Sequence, residues 1–164
     1  MSNTTNNTTM YDENCIFCKI ARHEVKSYKV YENKDFIVFM DIFPPTFDGK
    51  IMMPTVLVVT KQHYGSDVLE DVPEKLYLKA MKLARRIAQA MKLALGADRV
   101  CLMTEGFEIN HFHIKLYAVY KENYPGYLSS KKGPDNEAVM ADKKWLRETA
   151  RKIKQALKEL RKKK

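Results

Sequence analysis

From Asn110 to Leu116 the chain reads Asn110, His111, Phe112, His113, Ile114, Lys115, Leu116, an unbroken alternation of polar and apolar residues. A helix cannot use that pattern, because its faces recur about every 3.6 residues, whereas those of a strand recur every two. The run therefore predicts a strand, extended here to Ile109–Tyr120. Phe112, Ile114 and Leu116 would point into a core. His111, His113 and Lys115 would stand in a row on the opposite face, roughly 6–7 Å apart. A chain with such a strand must build a sheet that is apolar on one side and carries chemistry on the other.

The remaining segments supply partners for that strand. Lys29–Glu32 and Phe36–Met40 are short apolar runs split by Asn33, Lys34 and Asp35, which predicts a β-hairpin. Val56–Thr60 is β-branched and reads as a central strand, and Val100–Met103 as another. Pro44, Pro45, Asp48 and Gly49 mark a loop. Asp71, Pro73 and Glu74 form a helix start, with Asp71 as the capping residue; Leu76, Ala80, Leu83, Ala84, Ile87, Met91 and Ala94 then recur at helical spacing up to a stop at Gly96. Asn123, Tyr124, Pro125 and Gly126 break the last strand. Helical periodicity returns from about Asn136 to Lys162, with Trp145 on the apolar stripe, an argument that this helix packs on something. Strands both precede and follow the first long helix, so the expected class is α+β with an antiparallel sheet.

Composition narrows the setting. The 164 residues are 45% hydrophobic and 30% charged, which disfavours disorder, collagen and a disulfide scaffold, and three cysteines are too few for a secreted framework. No apolar run reaches the roughly 18–20 residues of a membrane span, and Met1–Thr9 lacks the apolar stretch of a signal peptide. The expected setting is the cytoplasm, with reduced thiols. Three parts are expected: a disordered tail over 1–13, a domain over 14–130 and a basic helical extension over 131–164. Residues 131–164 hold 13 Lys/Arg against 5 Asp/Glu, which is eight of the nine net positive charges. Such a tail is a solvated helix end or adds weak, non-specific affinity for nucleic acid.

Three groups of residues bear on chemistry. The row His111, His113, Lys115 suits an anion, and an imidazole there can act as nucleophile or general base; two histidines on a half-exposed sheet face are the plainer reading. Cys15 and Cys18 have the spacing of a zinc half-site that any two of His23, His63, His111 and His113 would complete; a redox dithiol and two buried apolar cysteines are the rivals. Cys101 is expected to pack as a small apolar residue in its strand. Asp41, at the end of an apolar strand, can accept from ribose hydroxyls or serve as the turn residue before the proline pair.

Taken in order, Cys15–Ile20, Phe39–Ile42, Val59–His63 and His111–Lys115 resemble the histidine triad (HIT) family over roughly residues 14–120. The resemblance implies an antiparallel sheet of about five strands, one long packed helix and, here, a C-terminal helix. It implies a nucleotide hydrolase or nucleotidyl transferase acting at the α-phosphate of nucleoside phosphoramidates, dinucleoside polyphosphates or related adenylated compounds, working as a homodimer. His113 would be the nucleophile that carries the nucleotidyl group. Asp41 would bind ribose hydroxyls, Ile42 would wall the base pocket, and His111 and Lys115 would complete the nucleotide site. Members with this cysteine pair carry a structural zinc, which would fall on Cys15, Cys18, His63 and His111. The sequence departs from the family in placing Lys115 where a third histidine stands, and in a short segment before the signature that carries Glu105 and Glu108. A nucleotide-binding module without turnover is the alternative that these departures open.

Overall fold

The computed structural model describes residues 11–47, 50–67, 70–121 and 140–162. Its seven strands are β1 (Lys29–Glu32), β2 (Phe36–Met40), β3 (Thr46–Phe47), β4 (Lys50–Ile51), β5 (Thr55–Thr60), β6 (Arg99–Thr104) and β7 (His113–Val119). Among the described residues three helices accompany them: α1 (Ile16–Ala21), α2 (Glu74–Leu95) and α3 (Lys143–Lys162). Five strands form one sheet in the order β1-β2-β5-β7-β6, every neighbouring pair antiparallel. The class is α+β, as the order of strand and helix signals implies.

The hairpin β1–β2 occupies the residues that the sequence assigns to it. Its turn is closed by Asn33, whose Oδ1 accepts from the backbone N–H of Asp35 and of Phe36 at 2.9 and 2.8 Å. β5 lies between β2 and β7, and all six of its residues are buried, which accounts for its β-branched composition.

Register decides which side chains share a face. Val58 pairs with Val38 and Ile114, and these residues look toward α2 and α3. Leu57 and Val59 look the other way, toward α1, and pair with Lys115 and His113. α2 buries Ala80, Leu83, Ala84, Ile87, Ala90 and Met91 against the first face. α3 buries Leu146, Thr149, Ala150, Ile153, Ala156 and Leu157 and joins the same core, with Trp145 and Leu160 at its margin.

Four local expectations are corrected. Asp71 does not cap α2: Pro73 holds the N-cap position with no side-chain bond, and the Asp71 carboxylate accepts from the Asp67 N–H at 3.3 Å instead. The stretch after Pro45 is not only loop, since Thr46–Phe47 and Lys50–Ile51 pair as a two-stranded ribbon. β7 starts at His113, not Ile109, because the His111 N–H bonds back to the Ile109 carbonyl at 2.8 Å in a tight turn. Cys101 is exposed, because β6 is an edge strand with only β7 beside it. The Gly96 stop is as read: it adopts φ 65° and donates to the Lys92 carbonyl at 3.1 Å, a left-handed cap that glycine takes without strain. The chain break at 123–126 and the start of the periodicity at Asn136 lie outside the described residues.

Candidate functional site

Two clusters meet on the α1 face of the sheet. The first joins residues far apart in the chain. α1 brings Cys18, with Cys15 just before its first turn; His63 follows β5; His111 precedes β7. Cys15 Sγ lies 3.3 Å from His111 Nδ1, and Cys18 Sγ lies 3.3 Å from His63 Nδ1 and 3.5 Å from His111 Nδ1. All four donor atoms fall within 4.8 Å of one another. A tetrahedral zinc ion with bonds of about 2.0–2.3 Å sets its ligand atoms about 3.3–3.8 Å apart, a range that the three sulfur–nitrogen distances match. His111 is oriented from behind by Thr60: its Nε2 sits 2.9 Å from the Thr60 carbonyl and 3.0 Å from Thr60 Oγ1. The Nε2–H donates to that carbonyl, which leaves the Nδ1 lone pair facing the thiols. Burial pushes the Cys18 thiol up to about 11 and the His111 imidazole down to about 4, so by themselves these donors are neutral. A bound cation reverses the thiol preference and releases protons. His23 stands apart from the cluster, 3.0 Å from Glu32.

The second cluster is a cavity of about 520 Å³ beside the first. Ile16, Phe17, Ile20, Val25, Phe39 and Leu57 make its apolar wall. Asp41 and Ile42 enter from the end of β2, His113 and Lys115 from β7, and Glu105 and Glu108 from the segment after β6. His113 Nδ1 lies 2.7 Å from the His111 carbonyl and donates its proton there, so Nε2 keeps a lone pair. The edge of Phe17 packs on the His113 ring, with centroids 5.1 Å apart. Burial first, and then the Lys115 ammonium, lower the His113 pKa, which holds the ring neutral and nucleophilic at pH 7. Burial also raises the Asp41 pKa, while the Phe43 N–H, donating to Oδ1 at 2.9 Å, opposes the shift. Asp41 is thus both the turn residue and a pocket residue. Lys115 forms an ion pair with Glu105 inside the cavity.

One family matches over more than half of the chain. The HIT domain covers residues 22–121. The chain belongs to the HIT family. An uncharacterized HIT-like protein of Borreliella burgdorferi is 32% identical over 136 residues, which is 75% of this chain and 86% of that one. The adenosine 5'-monophosphoramidase of Saccharomyces cerevisiae is 40% identical over 82 residues, 50% of this chain, and the match spans only about half (47%) of that enzyme. Among solved structures, a HIT-like protein from Bartonella henselae described as involved in cell-cycle regulation superposes with a TM-score of 0.68 at 27% identity, covering 90% of this chain and 98% of that one. The five-stranded antiparallel sheet with its packed helices is the HIT fold.

Within that HIT frame, the structure gathers the residues singled out in the sequence into two adjoining groups: Cys15, Cys18, His63 and His111 in one; Asp41, Ile42, His113 and Lys115 in the other. His111 leaves the row it was expected to share with His113 and Lys115 and turns to the thiols. Sequence reasoning missed Thr60, which orients His111, and Phe17, which packs on His113. Neither carries a signal, since a threonine ending a strand and a phenylalanine between two cysteines have many ordinary uses. It also missed the clamp on the Glu105 segment. The Ser66 N–H donates to Asn110 Oδ1 at 2.8 Å, and a side chain at Gly106 would collide with Ser66.

Proposed function

We propose that this chain is a nucleotide hydrolase or nucleotidyl transferase that acts at the α-phosphate of an adenylated compound, with a nucleoside phosphoramidate as the first substrate to test. The observation that carries the reading is His113: an imidazole that lines a cavity shared with Asp41 and Ile42 and whose Nδ1–H is taken by the His111 carbonyl, so that Nε2 keeps its lone pair. The base lies against Ile42 and the apolar wall, the ribose hydroxyls donate to Asp41, and the phosphate comes to His113 and Lys115. His113 Nε2 forms a bond to the α-phosphorus as the bond to the leaving group breaks, the electron pair departing with that group. Water then attacks the phosphorus, the pair of the P–N bond returns to Nε2, the water proton passes to solvent, and AMP leaves. Another acceptor in place of water makes the reaction a transfer. Lys115 and backbone donors take the phosphate charge, with Lys115 in the place of a third triad histidine. The yeast phosphoramidase at 40% identity supports the choice of substrate.

The cluster Cys15, Cys18, His63 and His111 holds a structural zinc in this reading. Four protein donors close the coordination shell, so the metal ties α1, β5 and the approach to β7 together and leaves no place for substrate. A second copy of the chain pairs along β6, the edge strand on which Leu102 and Met103 are 43% and 46% exposed.

The test is release of AMP from adenosine phosphoramidate and from a dinucleoside polyphosphate, wild type beside His113→Ala. The reading requires release by the wild type and a loss on the order of a thousandfold or more in the variant. One observation favours a binding module instead: Glu105 already occupies the Lys115 ammonium. Under that reading nucleotide raises the melting temperature and no AMP appears.

A further inference from the structure

Six titratable side chains line the cavity: Lys26, Asp41, Glu105, Glu108, His113 and Lys115. Three carboxylates there outnumber two ammonium groups. Lys115 stands two residues beyond His113 on the same face of β7, and Glu105 is paired with it. The segment that carries Glu105 is held in place rather than free to swing away. Ser66 binds Asn110 at its far end, and Gly106 packs so close to Ser66 that a Cβ there would lie 2.2 Å from the serine Cβ. A carboxylate is therefore fixed beside the nucleophile, on the side where phosphate charge must arrive.

We propose that Glu105 is a specificity-determining residue that makes this site select phosphoric substrates whose leaving group is an amine and reject those whose leaving group is a polyphosphate. The proposal rests on the hydrolase reading above and deepens it. In a phosphoramidate the P–N bond breaks with its electron pair going to nitrogen, which takes up protons from solvent and departs as an ammonium ion. That cation meets Glu105 and Glu108, which stabilise it. In a dinucleoside polyphosphate the P–O bond breaks and a polyanion departs toward the same carboxylates, which repel it. Lys115 does not offset this second charge, because Glu105 shares its ammonium; it serves the α-phosphate and little beyond it.

The experiment compares kcat/KM for adenosine phosphoramidate and for diadenosine tetraphosphate in wild type, Glu105→Gln and Glu105→Asp. The wild type should favour the phosphoramidate. Glu105→Gln should shift the ratio toward the tetraphosphate by on the order of tenfold, as one like charge is removed near the leaving group and Lys115 is released. Glu105→Asp should keep the wild-type preference. A Glu105→Gln variant that loses both activities in proportion, or a wild type that prefers the tetraphosphate, overturns the proposal. Should the wild type turn over neither compound, the hydrolase reading has failed, and affinities for AMP and ATP decide this proposal separately. Glu105→Gln should then tighten ATP more than AMP, and an equal change in both would overturn it.

Discussion

In the proposed reaction His113 can serve as the nucleophile because its two ring nitrogens have different neighbours. Nδ1 is occupied by the His111 carbonyl at 2.7 Å, and Nε2 is left for phosphorus. Its lowered pKa, caused first by burial, has a definite sign. A neutral imidazole persists below the ordinary value of 6.5, so kcat/KM should stay level from neutral pH down through that value and fall only under more acid conditions. A pH profile that drops with a midpoint at or above 6.5 would contradict this placement of the ring. Asp41 was legible in the sequence as either a turn residue or a ribose acceptor, and the geometry leaves room for both roles. Asp41→Asn should keep the turn, since Asn also accepts from the Phe43 N–H, and should act mainly on KM. Lys115 was legible as a departure, but its pairing with Glu105 was not, because their contact depends on β7 lying beside β6 and the segment after it.

The elements were easiest to read where burial on one side imposes a period. The β1–β2 hairpin, β5 and α2 follow the alternation or the helical stripe, and the structure sets them close to where the residues place them. Boundaries failed where a local hydrogen bond outcompetes the pattern, as at His111, where a turn cuts the alternation short. The ribbon β3–β4 was missed because two-residue strands have no period to read. α3 was legible as a helix, but not as part of the core. Its Ile153 is fully buried in the main core, so Ile153→Ala should cost about 2–5 kcal/mol of unfolding free energy in chemical denaturation. A cost under about 1 kcal/mol would mean that the helix is only loosely attached. Glu32 pairs within β1 with Lys29 at 2.6 Å and ties the strand to Lys61, the residue after β5, at 2.5 Å, and those hydrogen bonds hold its carboxyl down at about 2. Because the folded pKa is depressed below its ordinary 4.5, this network stabilises the fold above that value and is lost as pH falls toward 2. The loss in Glu32→Gln should stay below about 1 kcal/mol at neutral pH, since the lysine ends reach water. It should vanish below pH 2, where the wild type is protonated too.

Across the whole molecule the two faces of the sheet carry different tasks. One face is covered by α2 and α3, which together hold 15 Lys/Arg against 3 Asp/Glu. The other holds the cysteine–histidine cluster and the carboxylate-lined cavity. Any nucleic-acid affinity of the chain is expected to be weak, to reside on the helical face, and to decline steeply as salt is raised; a salt-insensitive interaction would place it elsewhere. No described helix is long and apolar enough to cross a membrane. Cys15→Ser should lower bound zinc and the melting temperature together, as a closed metal site is part of the folding free energy; unchanged zinc stoichiometry would refute the ligand set. The central claim is that the nucleotidyl group passes through His113. Its most direct test is the stereochemical course at the α-phosphorus of an isotopically chiral phosphoramidate. Two successive in-line displacements, onto His113 Nε2 and then onto water, predict retention of configuration. Inversion would mean that water attacks the phosphorus directly, and that His113 is not the nucleophile.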